Sequence, residues 1–183
     1  MRSVMKYRGF DWLACVGIFL VLVTLCAPTA QAQGVSLAGV FNDFTPAGTT
    51  GPWEVRGQWS LKINGESGKA DFSAALDMER SDMGVTLTGG DPNNPASRNA
   101  HTHHVFVYDA TVTRIANGFR VSGPAKITGN GKFPPPFGPN STVQIDVIGG
   151  NTVSPSNIKL TFIGDAATHF GTQPVNGVVR NFP

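Results

Sequence analysis

Cysteine is nearly absent from this chain, and its two cysteines, Cys15 and Cys26, both lie within the first 32 residues. Residues 33–183 therefore contain no thiol, which excludes disulfides, cysteine nucleophiles and cysteine metal ligands from that part of the chain. Its stability must come from an apolar core. A stretch of 151 residues suits one domain that buries a sizeable core.

An excess of charge of either sign is also missing once the N-terminus is set aside. Residues 1–32 carry three of the 14 basic residues and one of the 12 acidic ones, which leaves eleven of each. Nucleic-acid-binding domains usually present a clustered excess of lysine and arginine. The balanced charge gives no support to a nucleic-acid partner, and we expect none.

The chain has one long apolar run, and it lies near the N-terminus. Arg2, Lys6 and Arg8 precede the uncharged 15-residue run 12–26, and Ala30-Gln31-Ala32 follows it. This order is typical of a cleavable secretory signal. A membrane anchor and a lipidated Cys26 are the alternatives, but a spanning helix needs about 20 apolar residues. We predict a signal peptide at 1–32, one domain at 33–183, no membrane span after cleavage near Ala32, and a secreted or periplasmic location.

Helical periodicity is absent from residues 33–183, where short runs instead alternate between apolar and polar residues. Such alternation, interrupted by Gly, Asn and Pro, is typical of half-buried strands joined by turns. The pattern predicts an all-β domain, either an antiparallel β-barrel of lipocalin-like or similar calycin-type form or a sandwich of about eight strands. Residues 80–98 are expected to form a long loop, either without regular structure or with one additional short strand at 85–87.

Two hairpins are the clearest local predictions. Residues 53–63 alternate and are followed by a second alternating run at 70–79, so the apolar sets of both runs should share one face. That face carries Trp53 and Trp59, either as core residues or as a ligand-stacking platform. Asn117-Gly118 predicts a two-residue turn that pairs Ala116 with Phe119.

The register of the second hairpin also predicts which way the preceding side chains point. Continued upstream, it places His101 and His103 on the polar face together with Val105 and Val107. It places His104 on the apolar face. Under this register, the pair at 101 and 103 faces either an open barrel interior or bulk water.

Sequence fingerprints of common enzymes are missing as well. The chain has no nucleophile elbow of the Gly-x-Ser-x-Gly type, no P-loop and no dinucleotide fingerprint. What it has is a histidine cluster. Three of its four histidines fall at His101, His103 and His104, and the fourth is His169.

Histidines at alternate positions of a strand point to the same side and can reach one metal ion. A distant third ligand would complete a site with one open position, and His169 is the candidate. In ligand spacing alone, the arrangement resembles the three-histidine zinc site of alpha-type carbonic anhydrases and the His-x-His of cupins. The cupin pattern requires a glutamate shortly afterwards, where this chain has residues 105–108, Val-Phe-Val-Tyr.

These residues lead to three functional hypotheses. The first is an exported β-barrel that binds a small ligand or a metal ion, with Zn and Cu as the candidate metals, through His101, His103 and His169. The second is an enzyme that uses the same pocket, as a metal-dependent hydrolase or lyase or as an acid–base cyclase or isomerase. For acid–base work the candidates are His103, His169 and Asp109, since imidazole titrates near neutrality. The third is a structural or adhesion module without a pocket.

Overall fold

The computed structural model describes residues 34–45, 52–80, 100–129, 137–149 and 157–180. The predicted signal peptide at 1–32 and the predicted strand near 85–87 lie outside these ranges. The described residues form nine strand segments, a single 3-10 turn at Gly164–Ala166 and the short helix α1 at Ala167–Phe170. The strands are β1 Val35–Phe44, β2 Trp53–Ile63, β3 Lys69–Arg80, β4 His101–Ile115, β5 Gly118–Pro124, β6 Lys126–Ile127, β7 Thr142–Ile148, β8 Asn157–Ile163 and β9 Val175–Val179.

These segments form a closed antiparallel barrel of eight strands. Strands that follow one another in the chain pair side by side, and β9 pairs with β1 to close the ring. Strands β5 and β6 both pair with β4 on either side of residue 125, so they act as one interrupted strand. The barrel is one of the two predicted architectures. No helix among the described residues is long and apolar enough to cross a membrane.

The barrel interior is filled by large apolar side chains. Side chains alternate between the interior and the surface along each strand, as the period of two requires. Trp59 lies between the rings of Phe41 and Phe72, at centroid distances of 6.3 and 6.5 Å. Trp53 and Trp59 are 1% and 3% exposed, so the core role of both residues is confirmed.

The hairpin of β2 and β3 is confirmed, although its turn is longer than a two-residue turn. Ile63 pairs with Ala70, and the amide of Gly68 donates to the carbonyl of Asn64. The longer turn contains an even number of residues, as a two-residue turn does, so it leaves the same side chains of the two strands on the same face. The apolar residues of both strands therefore share the interior face, as predicted.

The predicted turn between β4 and β5 lies one residue closer to the C-terminus than the observed turn. Ile115 pairs with Gly118, so the turn residues are Ala116 and Asn117. Gly118 is needed inside the strand instead. A Cβ atom at this position would lie 1.9 Å from the carbonyl oxygen of Val147 on β7. The close approach of two backbones, rather than the turn, explains this glycine.

The register predicted for the upstream part of β4 is wrong, because a β-bulge places His103, Val105 and Val107 on the buried face rather than on the polar face. The pairing of β3 with β4 shifts between Ala70 and Phe72, where Asp109 of β4 adopts a left-handed φ of 52°. One extra residue in a strand reverses the faces of every residue beyond it. His103, Val105 and Val107 therefore point into the barrel.

Candidate metal centre

One end of the barrel brings together the start of β2, the start of β4, the end of β6 and the segment after β8. These positions coincide because antiparallel neighbours begin and end at alternate rims, and β2, β4 and β6 meet this rim near residues 53, 101 and 127. The single described helix lies at the same end, directly after β8. Residues far apart in sequence therefore meet here.

The bulge in β4 places two histidines on the interior side of this rim. His101 pairs with Met78 and His103 with Leu76, both residues of β3. His103 is 4% exposed, whereas His101 is half-buried. Their rings lie 4.9 Å apart.

The third histidine is held by the helix. Gly164 leaves β8 with a φ of 74°, and a Cβ here would lie 2.0 Å from the carbonyl oxygen of Asn140, so the sharp turn requires glycine. The hydroxyl of Thr168 donates to the carbonyl of Asp165 at 2.7 Å. Phe170 is fully buried and stacks on Phe162 of β8 at a centroid distance of 3.8 Å. Because Phe170 is anchored in this way, the preceding residue, His169, is held over the barrel end.

The Nε2 atoms of the three histidines converge. The Nε2 atom of His169 lies 3.1 Å from that of His101 and 3.1 Å from that of His103. The three ligand atoms all lie within 4.8 Å of one another. Zinc–nitrogen bonds of 2.0–2.1 Å in a tetrahedron separate the nitrogens by about 3.3 Å. The two distances that involve His169 are therefore close to the spacing that one tetrahedral ion requires.

One hydrogen bond defines the state of His103. Its Nδ1 atom lies 2.5 Å from the backbone carbonyl oxygen of Thr128, at the end of β6. A carbonyl only accepts, so Nδ1 must carry the proton and Nε2 of the neutral ring must present a lone pair to its neighbours. Metal-bound histidines are commonly oriented by such a bond to the other ring nitrogen. Thr128 is itself held in place, because its hydroxyl accepts the amide proton of His104.

Aromatic side chains surround the triad. Trp53 lies 4.8 Å from the ring of His101 and 5.4 Å from that of His169. Phe137 and Phe170 lie 5.5 and 5.1 Å from the ring of His103. An apolar shell of this kind excludes water and lowers the local dielectric around a site. Phe137 and Phe170 were not predicted to belong to the site, whereas Trp53 was expected either in the core or in a ligand-stacking platform.

This shell keeps two of the histidines neutral. Burial lowers the pKa of His103 to about 4, helped by the neighbouring His101 and His104 and opposed by its bond to Thr128. Burial also lowers the pKa of His169 to about 4, with smaller contributions from His103 and His101. Both rings are therefore neutral at pH 7, and neutral imidazole is the form that binds a metal ion.

The other predicted candidates lie elsewhere. His104 points outward and its ring stacks on Phe106. Asp109 is exposed at the bulge, where its amide donates to the carboxylate of Asp71. Among the described residues, the cluster of metal-ligating side chains that includes His101 comprises only His101, His103 and His169.

Comparison with known proteins adds no assignment. No protein-family model, no curated protein and no solved structure matches this chain.

Proposed function

We propose that this protein binds a divalent transition-metal ion, Zn²⁺ or Cu²⁺, through His101, His103 and His169. The observation that carries the proposal is the convergence of three Nε2 atoms, of which that of His169 lies 3.1 Å from each of the other two and that of His103 must present a lone pair. An ion at the centre would be bound by one lone pair from each of the three rings. Imidazole ligands suit zinc and copper.

Calorimetric titration of the tag-free protein with ZnCl₂ and with CuCl₂ tests the proposal. We expect one ion per chain in the wild type and no saturable binding after His101→Ala with His103→Ala. His104→Ala is the matched control, because that ring belongs to the same sequence cluster but points outward. Binding that survives the double variant, or that His104→Ala removes, would contradict the proposal.

A second candidate function follows from the number of ligands. Three protein ligands leave the fourth position of a tetrahedral zinc ion to water, and zinc lowers the pKa of such a water to about 7. His101 and His169 are half-buried rather than sealed, so both rings are partly accessible to solvent. We infer that the zinc-loaded protein hydrolyses activated esters. Zinc-dependent cleavage of 4-nitrophenyl acetate that rises with pH around 7 supports this role, and a rate equal to that of the double variant excludes it.

We propose further that the protein is exported. The support is the basic start, the apolar run at 12–26 and the small residues before Gln33. Mass spectrometry of the native protein tests this proposal. An N-terminus near residue 33 is expected, and an intact Met1 in the mature fraction would contradict it.

A further inference from the structure

A depression lies on the outer surface of the barrel, beside the metal centre. Its volume is about 640 Å³, within the range typical of sites for small molecules. Aromatic and proline side chains predominate among its described lining residues: Phe106, Tyr108, Pro124, Phe137 and Pro139, with Lys126 as the charged member. Such a lining, mostly apolar with one well-placed polar group, is typical of a site for a small organic molecule.

The bulge in β4 creates one wall of this depression. Because the bulge turns Val105 and Val107 inward, Phe106 between them points outward, and Tyr108 is 57% exposed. The rings of Phe106 and Tyr108 are parallel to within 1° and lie 6.4 Å apart. Phe106 also lines a smaller depression. We call the wall that the parallel rings of Phe106 and Tyr108 form the partition.

One lining residue of the depression, Phe137, also contacts the metal centre. Phe137 lines the depression and also lies 5.5 Å from the ring of His103 and 5.6 Å from that of His169. A molecule bound between the partition and Phe137 would therefore be separated from the histidines by one phenyl ring.

The position of Lys126 predicts where an anionic group of a ligand would lie. Lys126 follows Pro124 on the β6 side, and its Nζ atom lies 6.0 Å from the centre of the Tyr108 ring. Lys126 is the charged residue among the described lining, and no carboxylate accompanies it there. A flat ring would be accommodated by the partition and Phe137, and an anionic group on that ring would meet the ammonium.

We propose that this depression binds a small aromatic monocarboxylate. The ring of the ligand packs between the Phe106–Tyr108 partition and Phe137, and its carboxylate pairs with Lys126. A strand of nucleic acid would require a groove with many cations, and a stable protein partner would cover about 800 Å² on each side. The site stands on its own lining, and only its coupling to the histidines rests on the proposed metal function.

Ligand-observed and amide-shift NMR with benzoate tests the proposal on the EDTA-treated protein and on the zinc-loaded protein. We expect saturable binding in the metal-free protein, with amide shifts around Tyr108, Lys126 and Phe137. Lys126→Met should weaken the binding about tenfold, because it removes a charge-assisted bond. Tyr108→Ala should also weaken it. Both side chains are exposed, so neither change removes buried core packing.

Two control variants and one control ligand sharpen the test. Lys69→Met removes an exposed lysine from the start of β3, and Gln58→Ala alters the depression on the other side of Phe106; both should leave benzoate affinity unchanged. Benzyl alcohol, which has the ring without the charge, should bind about tenfold more weakly.

Failure of this proposal is distinguishable from failure of the metal function. Absence of saturable benzoate binding in both metal states overturns the proposal, whatever the zinc titration shows. Binding that requires zinc and ignores Lys126→Met and Tyr108→Ala would place the carboxylate on the metal, and this result also overturns it. Binding to the metal-free protein that both variants weaken supports the site even if zinc does not bind.

Discussion

Asp109 shows how one residue determines which way several others point. It is the residue with a left-handed backbone at the bulge of β4, and its amide is held by the carboxylate of Asp71. Upstream of this position the faces of the strand are exchanged, so His103 points inward and Phe106 outward. Both candidate sites therefore depend on a conformation that L residues adopt at a cost of roughly 1–2 kcal/mol.

Substitution of Asp109 measures that cost. Asp109→Gly should leave the free energy of unfolding unchanged or raise it by up to about 1 kcal/mol, because glycine adopts positive φ without a Cβ clash. Asp109→Val should lower it by about 1–2 kcal/mol, since a β-branched side chain opposes this region. Urea unfolding curves give both values. Equal midpoints for the two variants would show that the bulge carries no strain.

Strands and turns could be predicted from alternation because one face of each strand is buried. The shared face of Trp53–Ile63 and the following strand was predicted correctly, because the alternation along each strand shows which side chains are buried. The bulge could not be predicted in this way. Nothing in the residue types around Tyr108 and Asp109 distinguishes a bulge from continuous alternation, so His103 was assigned to the polar face although it lies on the buried one.

The candidate site, too, could be predicted only in the part that depends on a single strand. Spacing alone indicated that His101 and His103 share a face, because that property is local to one strand. The approach of His169 depends on barrel closure and on the packing of Phe170 against Phe162, neither of which a pattern in the sequence records. The bond from His103 to Thr128 was missed for the same reason, since β6 follows a proline interruption at Pro124.

A substitution in helix α1 should weaken zinc binding more than a comparable core substitution elsewhere in the barrel. Phe170→Ala removes a fully buried ring and should lower the free energy of unfolding by about 3–5 kcal/mol. It should also weaken zinc binding by at least the 10–100-fold typical of changes to groups that orient ligands. Phe41→Ala is the control, because it also removes a buried ring from the core but touches none of the three histidines. Calorimetric titration under conditions where both variants are folded compares them, and equal zinc affinity would contradict the anchoring role of Phe170.

At the scale of the whole molecule, the neutral histidines link stability to pH. The pKa values of His103 and His169 lie near 4 in the folded protein and near 6.5 when unfolded. Between these values the unfolded chain binds more protons, so the metal-free protein loses stability as the pH falls from about 6.5 to 4. Above pH 6.5 this contribution is fully present.

Thermal unfolding in EDTA across this pH range tests the linkage. We expect the melting temperature of the wild type to fall more steeply toward pH 4 than that of His103→Gln, which lacks one of the two titrating rings. Zinc in excess should raise the wild-type melting temperature at pH 7 and have little effect at pH 4, because protons compete for the ligand nitrogens. Parallel pH profiles for the wild type and His103→Gln would contradict the assignment.

The separation of the ligands along the chain has a mechanical consequence for the barrel. His103 and His169 are 66 residues apart in sequence. An ion bound to both would close the intervening chain into a loop. A cross-link that encloses a loop of this length stabilises a protein by about 4 kcal/mol if it restricts the unfolded chain as a disulfide does. In a domain without cysteine, bound metal would thus act as a removable cross-link between β4 and the segment after β8. Its gain or loss would change how long the barrel resists proteases as well as what the barrel binds.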